Sequence, residues 1–340
     1  MSYGKLQLLL LGLLLDILGQ RVAFSEVLFN CDGSQAYPCL VQESLNSVNP
    51  VMNLRDIRLI RNYYSGDISG IDSLNLSASA MPNAVGWGEV KNYIEQQAPA
   101  MPQKIIVVDL RQESHGYLNG MAINLTTAHN WININKTNEE IKLAEKNWLF
   151  FLKSQMMVSG VLTPQQFETH DYLQGRSIEI HTIQDEEEAV KEKGLDYVRF
   201  YVSDHRAPVD NEVDRFVEFY KHLEANTWLH IHCRGGKGRS TSFLALVDML
   251  NNADKVSFEE ILARQAAIPP FYNLGLIVRS DPELTPFYIE RLQFLRQFYY
   301  YSQASIHGYK GTWSEWKNSR EVALGHDIFQ WGYDKSFYLK

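Results

Sequence analysis

Residues 227–242 read TWLHIHCRGGKGRSTS, and this run is the strongest structural signal in the chain. An apolar, strand-like stretch leads to Cys233, and a helical pattern of apolar residues begins just after Ser240. Three glycines between them allow successive backbone N–H groups to turn towards one point, and the helix N-terminus adds its positive end there. The run therefore predicts a strand, an anion-binding loop and a helix, as found at the sheet edge of α/β folds; its glycines are Gly235, Gly236 and Gly238.

The side chains of the same loop add chemistry to the anion site. Arg239 can bind two oxygens of a phosphate group, and Cys233 in that positive field is favoured as a thiolate nucleophile. Ser240 is placed to hydrogen-bond the sulfur when it leaves. A cysteine, five residues, an arginine and a serine or threonine are typical of the phosphate loop of cysteine-dependent phosphatases. A buried structural cysteine is the alternative, and it fits poorly beside Arg234 and Lys237.

A general acid is expected at Asp204, which follows a strand-like run at residues 197–203. Apolar residues at helical spacing occupy the interval before Cys233, which lies 233 − 204 = 29 residues downstream. A strand, a crossover helix and a parallel strand place both strand ends at one edge of the sheet. Asp204 and Cys233 should therefore lie close together. The alternative is that Asp204 only caps a turn or the next helix.

Several stretches of the chain together resemble the protein-tyrosine-phosphatase-like (PTP-like) phytases, bacterial cysteine phosphatases that hydrolyse inositol polyphosphates. They are residues 72–79, 107–116, 196–205, 213–216, 227–233 and 258–265, so the resemblance covers roughly residues 50 to 300. It implies an α/β cysteine-phosphatase fold with a central, mainly parallel sheet flanked by helices and a small partial β-barrel domain. We expect the phosphatase domain at residues 51–300, with the small β domain inserted at about residues 50–80 and 117–136.

The resemblance also implies roles for individual residues. Cys233 would be the nucleophile, Arg239 the phosphate clamp and Asp204 the general acid, while His205 would contact the substrate or the acid. Arg55 follows Asn53 and Leu54 where the family often has a substrate-binding arginine, although it could be an ordinary surface residue. The expected substrate-binding loop residues are Arg234, Gly235, Gly236, Lys237 and Gly238.

Other residues of these stretches leave alternatives open. Family members commonly have small or acidic residues where this chain has Arg234 and Lys237, and the cations also resemble phosphoinositide phosphatase loops. His232 is expected to orient the cysteine loop. Three polar residues after the strand at residues 104–109 could line the site or form a buried salt-bridged corner; these are Arg111, Glu113 and His115.

Composition limits the partners and cofactors. The chain has 340 residues, of which 45% are hydrophobic and 21% charged, and a net charge of −8, which argues against a nucleic-acid or anionic-membrane surface. The ten histidines show no His-x-x-x-His pair, and the loop can do what a metal pair does elsewhere, so we expect neither a metal nor another cofactor. Oligomeric state is not predicted.

The N-terminal residues indicate export. Lys5 precedes an apolar run at residues 8–15, and Ala23 and Ser25 form a small-x-small cleavage pattern, so residues 1–25 are expected to be a signal peptide. The alternative is a core helix or a membrane anchor. Cys31 and Cys39 in the N-terminal segment 26–50 could form a disulfide in an oxidising compartment, either a periplasm or outside the cell. The alternative is that they are two unrelated surface thiols.

The loop motif and the family resemblance together imply a function. We expect a metal-independent phosphomonoesterase that acts on myo-inositol polyphosphates such as phytate through a phosphocysteine intermediate. A protein-tyrosine or phosphoinositide phosphatase is one alternative, and a non-catalytic phosphate-binding module is an alternative of another class. Residues 301–340 are expected to be an aromatic-rich extension packed on the core, and no membrane span is expected in the mature protein.

Overall fold

The computed structural model describes residues 25–43 and 51–324. The strands are β1 (Glu26–Leu28), β2 (Cys39–Gln42), β3 (Arg55–Asp56), β4 (Leu76–Ala80), β5 (Lys104–Arg111), β6 (His115–Leu118), β7 (Met121–Thr126), β8 (Met157–Val161), β9 (Arg176–Glu179), β10 (Ile183–Gln184), β11 (Asp196–Val202) and β12 (Thr227–Cys233). The helices are α1 (Ile60–Tyr63), α2 (Gly86–Gln97), α3 (Asn138–Lys153), α4 (Pro164–Glu168), α5 (Glu186–Lys191), α6 (Asp210–Lys221), α7 (Gly238–Asn252), α8 (Phe258–Ala266), α9 (Thr285–Ile306) and α10 (Trp313–Leu324).

A central five-stranded sheet has the order β11-β5-β12-β4-β3. Its first four strands are parallel, and only β3 at the edge is antiparallel. Side chains alternate between the two faces, as strand geometry requires. Leu229 and Ile231 of β12 pack in the large core with α6, α7, α8 and α9, whereas Trp228 packs with α2 and α5 on the other face. The predicted α/β class with helices on both faces of a mainly parallel sheet is confirmed.

The crossover from β11 through α6 to β12 positions the carboxyl ends of these two strands, where the candidate site residues lie. α6 buries Val213, Phe216 and Val217 against the sheet, which is why its apolar residues recur at helical spacing. β11 and β12 both run parallel to β5. The turn after β11 and the loop after β12 therefore lie at the same edge.

The smaller β region consists of two further sheets. One has the order β10-β6-β7-β2 and is antiparallel, and the other has the order β1-β8-β9. A bridge between Val41 and Leu162 links them. Helix α3 packs Leu149 and Leu152 against this region and begins with a capping box formed by Thr137 and Glu140. The expected partial barrel stays a prediction.

The expected boundaries of the small β domain were wrong at residues 50–80. The described part of that segment supplies β3 and β4 to the central sheet. The strand β4 reads LSASA and is buried throughout, so its serines looked polar in the sequence although they lie inside the protein. Residues 117–136 do contribute β7 and part of β6, but the remaining strands of the small region come from residues 26–42 and 157–184.

The C-terminal extension does not begin at the boundary of an element, as the expected division at residue 300 implied. Helix α9 runs through residue 300, so the C-terminal extension begins inside a helix. Trp313 and Trp316 of α10 are buried in the core with Phe298 and Tyr301 of α9. Its last aromatic residues and the expected signal peptide up to residue 24 lie outside the described residues.

A disulfide joins Cys31 and Cys39 across a sequence separation of 8. Cys39 is the first residue of β2 and is fully buried, so the bond attaches the N-terminal segment to the small β region. Cys233 is the free cysteine of the described chain. No helix within the described ranges combines the length and the apolar character that crossing a membrane requires.

Candidate active site

The phosphate-type loop lies between β12 and α7. Cys233 ends the strand with only 4% of its surface exposed, and its carbonyl oxygen accepts a hydrogen bond of 2.9 Å from the N–H of Met81 after β4. Gly236 has φ of +65°, and a Cβ there would lie 2.3 Å from the backbone nitrogen of Ala80. Only glycine fits this position, because it tolerates positive φ and leaves room for the neighbouring strand.

Arg239 is buried in the first turn of α7 and is held by a carboxylate. Its Nη1 and Nη2 atoms donate to the two oxygens of Glu113 at 2.7 and 2.9 Å, and Glu113 also accepts a bond of 2.9 Å from Nε of Arg111. Burial alone would raise the pKa of Glu113, but Arg239 and Arg111 hold it well below its usual range. Arg111 and Glu113 therefore form the buried salt-bridged corner, and this corner fixes the clamp.

Asp204 lies beside Arg239, at the sheet edge to which the crossover from β11 to β12 leads. Its Oδ1 is 3.3 Å from Nε of Arg239, and that Nε makes no hydrogen bond within the described chain. Its Oδ2 accepts a bond of 2.8 Å from the amide of Asn130, and the indole N–H of Trp131 donates to its backbone oxygen at 2.9 Å. Burial raises the pKa of Asp204, but the charges of Arg239 and His205 outweigh burial and lower it.

His205 adjoins the acid. Its backbone has φ of +66°, its Nε2 lies 3.9 Å from Oδ2 of Asp204, and its Nδ1 lies 3.4 Å from the hydroxyl of Tyr288. Burial lowers the pKa of His205, while Asp204 opposes that change. The ring is thus within reach of both the acid and the space above the loop.

His232 was expected to orient the cysteine loop, but its ring does not point towards the loop. Its ring is fully buried on the α2 and α5 face, edge-on to Trp87 at 5.2 Å between centroids, and its Nε2 lies 3.3 Å from Oε1 of Glu186. Neither ring nitrogen makes a hydrogen bond to a described residue. The reason is strand geometry, because a side chain one residue before Cys233 points to the opposite face of the sheet. His232 therefore fixes the strand and reaches the loop only through it.

Ser240 follows Arg239 at the start of α7. It lies in the first turn of α7 and is fully buried, and its hydroxyl has no partner among the described residues. A buried hydroxyl without a partner is available to a group at the loop.

Arg55 was expected to be either a substrate-binding residue or an ordinary surface residue, and the structure gives it a different role. It is 1% exposed, and its guanidinium donates to the backbone oxygen of Gly236 at 2.9 Å and to the hydroxyl of Thr241 at 3.1 Å. The amide of Asn53 donates to the oxygen of Gly235 at 2.8 Å. Burial lowers the pKa of Arg55 to about 10, against the opposing charge of Cys233. Arg55 thus holds the loop carbonyls away from the anion site, and it is neither a surface residue nor an exposed substrate contact.

The two loop cations differ from each other. Arg234 turns back into the protein, where its Nε donates to Glu43 at 2.8 Å and its Nη1 to the amide oxygen of Asn130 at 3.2 Å. Lys237 is exposed and forms no ion pair with any described residue. Lys237 is therefore the loop cation that can meet a solvent-borne anion.

Sequence reasoning missed Arg291 of α9. A Cβ at Gly238 would lie 2.9 Å from its Nη1, so the guanidinium touches the junction of loop and helix. Arg291 is 3% exposed, lies over the rings of Tyr272 and Tyr288, and donates to the hydroxyl of Tyr272 at 3.0 Å. One feature of the sequence could have identified Arg291. It follows Tyr288 by three residues on the apolar face of a helix, where an unpaired cation would be costly.

Aromatic side chains form a rim beside the same edge. Trp131 is edge-on to Phe287 at 5.1 Å, and His129 is tilted against Trp131 at 4.8 Å. His205 and Tyr288 continue this rim with their centroids 6.1 Å apart. The site therefore combines cations with flat apolar surfaces.

A second polar cluster lies on the face of the central sheet that α2 and α5 cover. Potential ligand atoms of Asp109, His115 and Glu186 all lie within 4.8 Å of one another. Nε2 of His115 donates to Oε2 of Glu186 at 2.7 Å, and Nε of Arg199 lies 3.1 Å from Oδ2 of Asp109. Burial lowers the pKa of His115, but Asp109 and Glu145 reverse this and raise it to about 9. The raised pKa favours an imidazolium at neutral pH, and this cation and the Arg199 guanidinium both face the carboxylates of the cluster.

The site has the arrangement that is typical of cysteine-dependent phosphatases: a strand, a glycine-rich loop carrying Cys233, an arginine at the start of the next helix and an aspartate on the adjoining crossover. The family model described as "PTP-like phytase: Inositol hexakisphosphate" matches residues 108–251. A PTP-like phytase from Bdellovibrio bacteriovorus is 32% identical with a TM-score of 0.64, and the match covers 82% of this chain and 94% of that one. The chain therefore belongs to the PTP-like phytase family.

Longer relatives match a part of their length. The PTP-like myo-inositol phosphatase from Mitsuokella multacida, solved in complex with myo-inositol-(1,3,4,5)-tetrakisphosphate, is 31% identical with a TM-score of 0.72, over 84% of this chain and 48% of that one. "Effector protein hopD2" from Pseudomonas syringae pv. tomato is 30% identical over 63% of this chain and 46% of its own length. This chain thus spans about half the length of these two relatives.

Proposed function

We propose that the protein is a metal-independent phosphomonoesterase that hydrolyses myo-inositol polyphosphates through a phosphocysteine intermediate. The observation that carries the proposal is the meeting of Cys233, Arg239 and Asp204 at one sheet edge, with Asp204 3.3 Å from Arg239. Nucleophile, clamp and acid are the three groups that this reaction needs.

In the first step, the sulfur of Cys233 forms a bond to phosphorus as the bond from phosphorus to the ring oxygen breaks. Asp204 gives its proton to that oxygen, and the backbone N–H groups of the loop and Arg239 stabilise the charge on the phosphoryl oxygens. In the second step, water attacks phosphorus while Asp204 takes its proton, and the sulfur leaves as a thiolate beside Ser240. Glu113 occupies both terminal nitrogens of Arg239, so its orientation is set before the substrate arrives.

Cations around the loop support a substrate with several phosphate groups. Lys237 is exposed, and the guanidinium of Arg291 touches Gly238. A monophosphate needs only the loop, whereas further phosphates on the same ring need additional donors. The Mitsuokella multacida relative binds such a ligand, a myo-inositol tetrakisphosphate.

A protein-tyrosine phosphatase activity is the second candidate, and the aromatic rim favours it. Trp131, Phe287 and Tyr288 offer faces on which a phosphorylated tyrosine ring could pack. A phosphoinositide is a third candidate because it shares the inositol phosphate group.

The test is phosphate release from phytate, a phosphotyrosine peptide and a phosphoinositide, measured in the presence of EDTA. Residues 26–340 would be compared with the same protein carrying Cys233→Ser. We expect release from phytate by the wild type and none by the variant. Preference for either other substrate would overturn the substrate and retain the mechanism. Binding of inositol phosphate without turnover by the wild type would favour a non-catalytic binding module.

We also propose that the protein is exported. The disulfide of Cys31 and Cys39 is of the kind that persists in oxidising compartments, and one relative is an effector protein. Fractionation of the producing cells, followed by alkylation of free thiols, tests this. One alkylated cysteine per chain in a periplasmic or extracellular fraction is expected, whereas three alkylated cysteines in the cytosol would contradict export.

A further inference from the structure

We propose that Arg234 is a positioning residue for Asp204, acting through Asn130, and that it does not bind substrate. The inference rests on the proposed function, since it assumes that Asp204 is the general acid. It departs from the expectation that Arg234 and Lys237 of the loop both bind substrate.

The contacts form a continuous chain from the base of the site to the acid. Nε of Arg234 donates to Oε1 of Glu43 at 2.8 Å, and its Nη1 donates to Oδ1 of Asn130 at 3.2 Å. Nδ2 of Asn130 then donates to Oδ2 of Asp204 at 2.8 Å. The side chains of Arg234 and Glu43 are 22% and 17% exposed, and Asn130 is 8% exposed. This geometry directs the guanidinium towards the protein and away from the open side of the loop.

Arg234 dictates which way the amide of Asn130 faces. A guanidinium only donates hydrogen bonds, so the group that faces it must be the amide oxygen. The NH₂ group must then face Asp204, and it can only donate there. The rest of Asn130 is also fixed, because its backbone lies in the left-handed region at φ of +60° and the next residue, Trp131, donates to the backbone of Asp204.

The amide orientation decides where the acid holds its proton. An NH₂ group cannot accept a proton from Asp204, so the protonated carboxyl cannot donate to its neighbour. Oδ1, which lies beside Arg239, is left to carry the proton where the phosphate group binds. Without Arg234 the amide is free to turn by half a rotation, and its oxygen would then accept the proton that the leaving group needs. Arg234 therefore acts on proton delivery and leaves phosphate affinity unchanged.

The test compares substrates whose leaving groups need the acid with one that does not. Phytate and phenyl phosphate have poor leaving groups, whereas p-nitrophenol leaves without protonation. For Arg234→Met we expect kcat to fall about tenfold on phytate and phenyl phosphate, a part of what a general acid contributes. On p-nitrophenyl phosphate kcat should be unchanged, and KM for phytate should stay within about twofold. Lys237→Met is the matched control, and we expect it to raise KM for phytate.

A double-mutant cycle with Asn130→Gly makes the route explicit, since glycine tolerates the left-handed backbone. If Arg234 acts through Asn130, the double variant should be no slower on phenyl phosphate than Asn130→Gly alone. Additive losses, or a rise in KM for phytate with kcat unchanged in Arg234→Met, would overturn the proposal. If Arg234→Met does not fold, as judged by thermal unfolding, Glu43→Gln provides a milder second variant with the same expected substrate pattern.

The two proposals fail in different ways. A wild type that turns over the aryl phosphates but not phytate would refute the substrate, and the phenyl and p-nitrophenyl pair would still decide the role of Arg234. A wild type that turns over none of the three refutes both.

Discussion

At the scale of single residues, the site depends on paired charges that hold one another in place. Arg239 lies between Glu113 and Asp204, and Glu113 is itself shared with Arg111. Removing one member of such a buried set leaves an uncompensated charge, which costs more than the pair itself contributes. Each of these residues is therefore expected to contribute to stability, in addition to any part that it has in the proposed reaction.

The pH dependence of Asp204 is the first prediction at this scale. Arg239 and His205 lower the pKa of the free carboxyl despite its burial. A bound phosphate dianion offsets the charge of Arg239, so the pKa of Asp204 should rise in the complex and the acid should hold its proton there. Since the reaction needs the protonated form, kcat on phytate should fall as the pH rises through that higher pKa.

Asp204→Asn is the variant that checks this pH dependence. It should lower kcat on phytate by about 10²-fold or more, and it should abolish the alkaline fall. Its kcat on p-nitrophenyl phosphate should change much less. A variant that keeps the alkaline fall would show that another group, such as His205, delivers the proton.

At the scale of elements, short polar strands complete the sheet around the loop. β4 has small side chains, and this allows Gly236 to approach the backbone of Ser79 and Ala80 closely. β3 then places Arg55 beneath the loop, where it binds Gly236 and Thr241. The loop is thus supported by backbone and side chains from two strands far away in sequence.

The disulfide gives a prediction for the N-terminal element. It closes a loop across a separation of 8 residues, for which constraint of the unfolded chain is worth about 2–3 kcal/mol. Cys31→Ala with Cys39→Ala should lower the free energy of unfolding by about that amount, measured by urea denaturation. Dithiothreitol should destabilise the wild type similarly and leave the double variant unchanged. A loss of the same size in the double variant on adding dithiothreitol would contradict this account.

At the scale of the whole molecule, a buried ionic cluster joins the small β region to the central sheet. His115 comes from β6, Asp109 and Arg199 from the central sheet, Glu145 from α3 and Glu186 from α5. His115 is 1% exposed and meets these groups on several sides. The charge state of one imidazole therefore links the two parts of the fold.

The stability of the whole protein should follow the titration of His115. Its folded pKa is raised to about 9, above the ordinary value of about 6.5, so the folded state binds its proton more tightly than the unfolded chain does. The resulting stability is fully present below about pH 6.5 and is lost as the pH rises through about 9. The loss should be of the order of 3 kcal/mol for a shift of this size.

Urea denaturation between pH 6 and pH 10 checks this prediction, with the pH range chosen from the two pKa values above. His115→Gln should lower stability at neutral pH and remove most of the slope. His222→Gln is the matched control, because His222 is 72% exposed, and it should leave the slope unchanged. An unchanged slope in His115→Gln would assign the pH dependence to other groups.

The sequence by itself determined the elements whose cause is local. Three patterns depend only on residues that are close together in the sequence. They are the glycines after Cys233, the apolar residues of α6 at helical spacing and the strand-like run of β12. Strand, loop, helix and crossover follow from backbone sterics and periodicity, and with them the position of Asp204 and Cys233 at the same edge of the sheet. The family resemblance rested partly on these stretches and partly on residues 72–79, 107–116 and 258–265.

Only the tertiary structure decided the partners of the buried charges. Whether Arg234 faces solvent or Glu43, whether Arg55 faces the substrate or Gly236, and on which face His232 lies depend on neighbours that are distant along the chain. The same holds for Arg291, which a helix from the C-terminal half brings against Gly238. A polar side chain in a sequence can face water or a buried partner, and packing decides between them because a charge left unpaired inside the protein is too costly to persist.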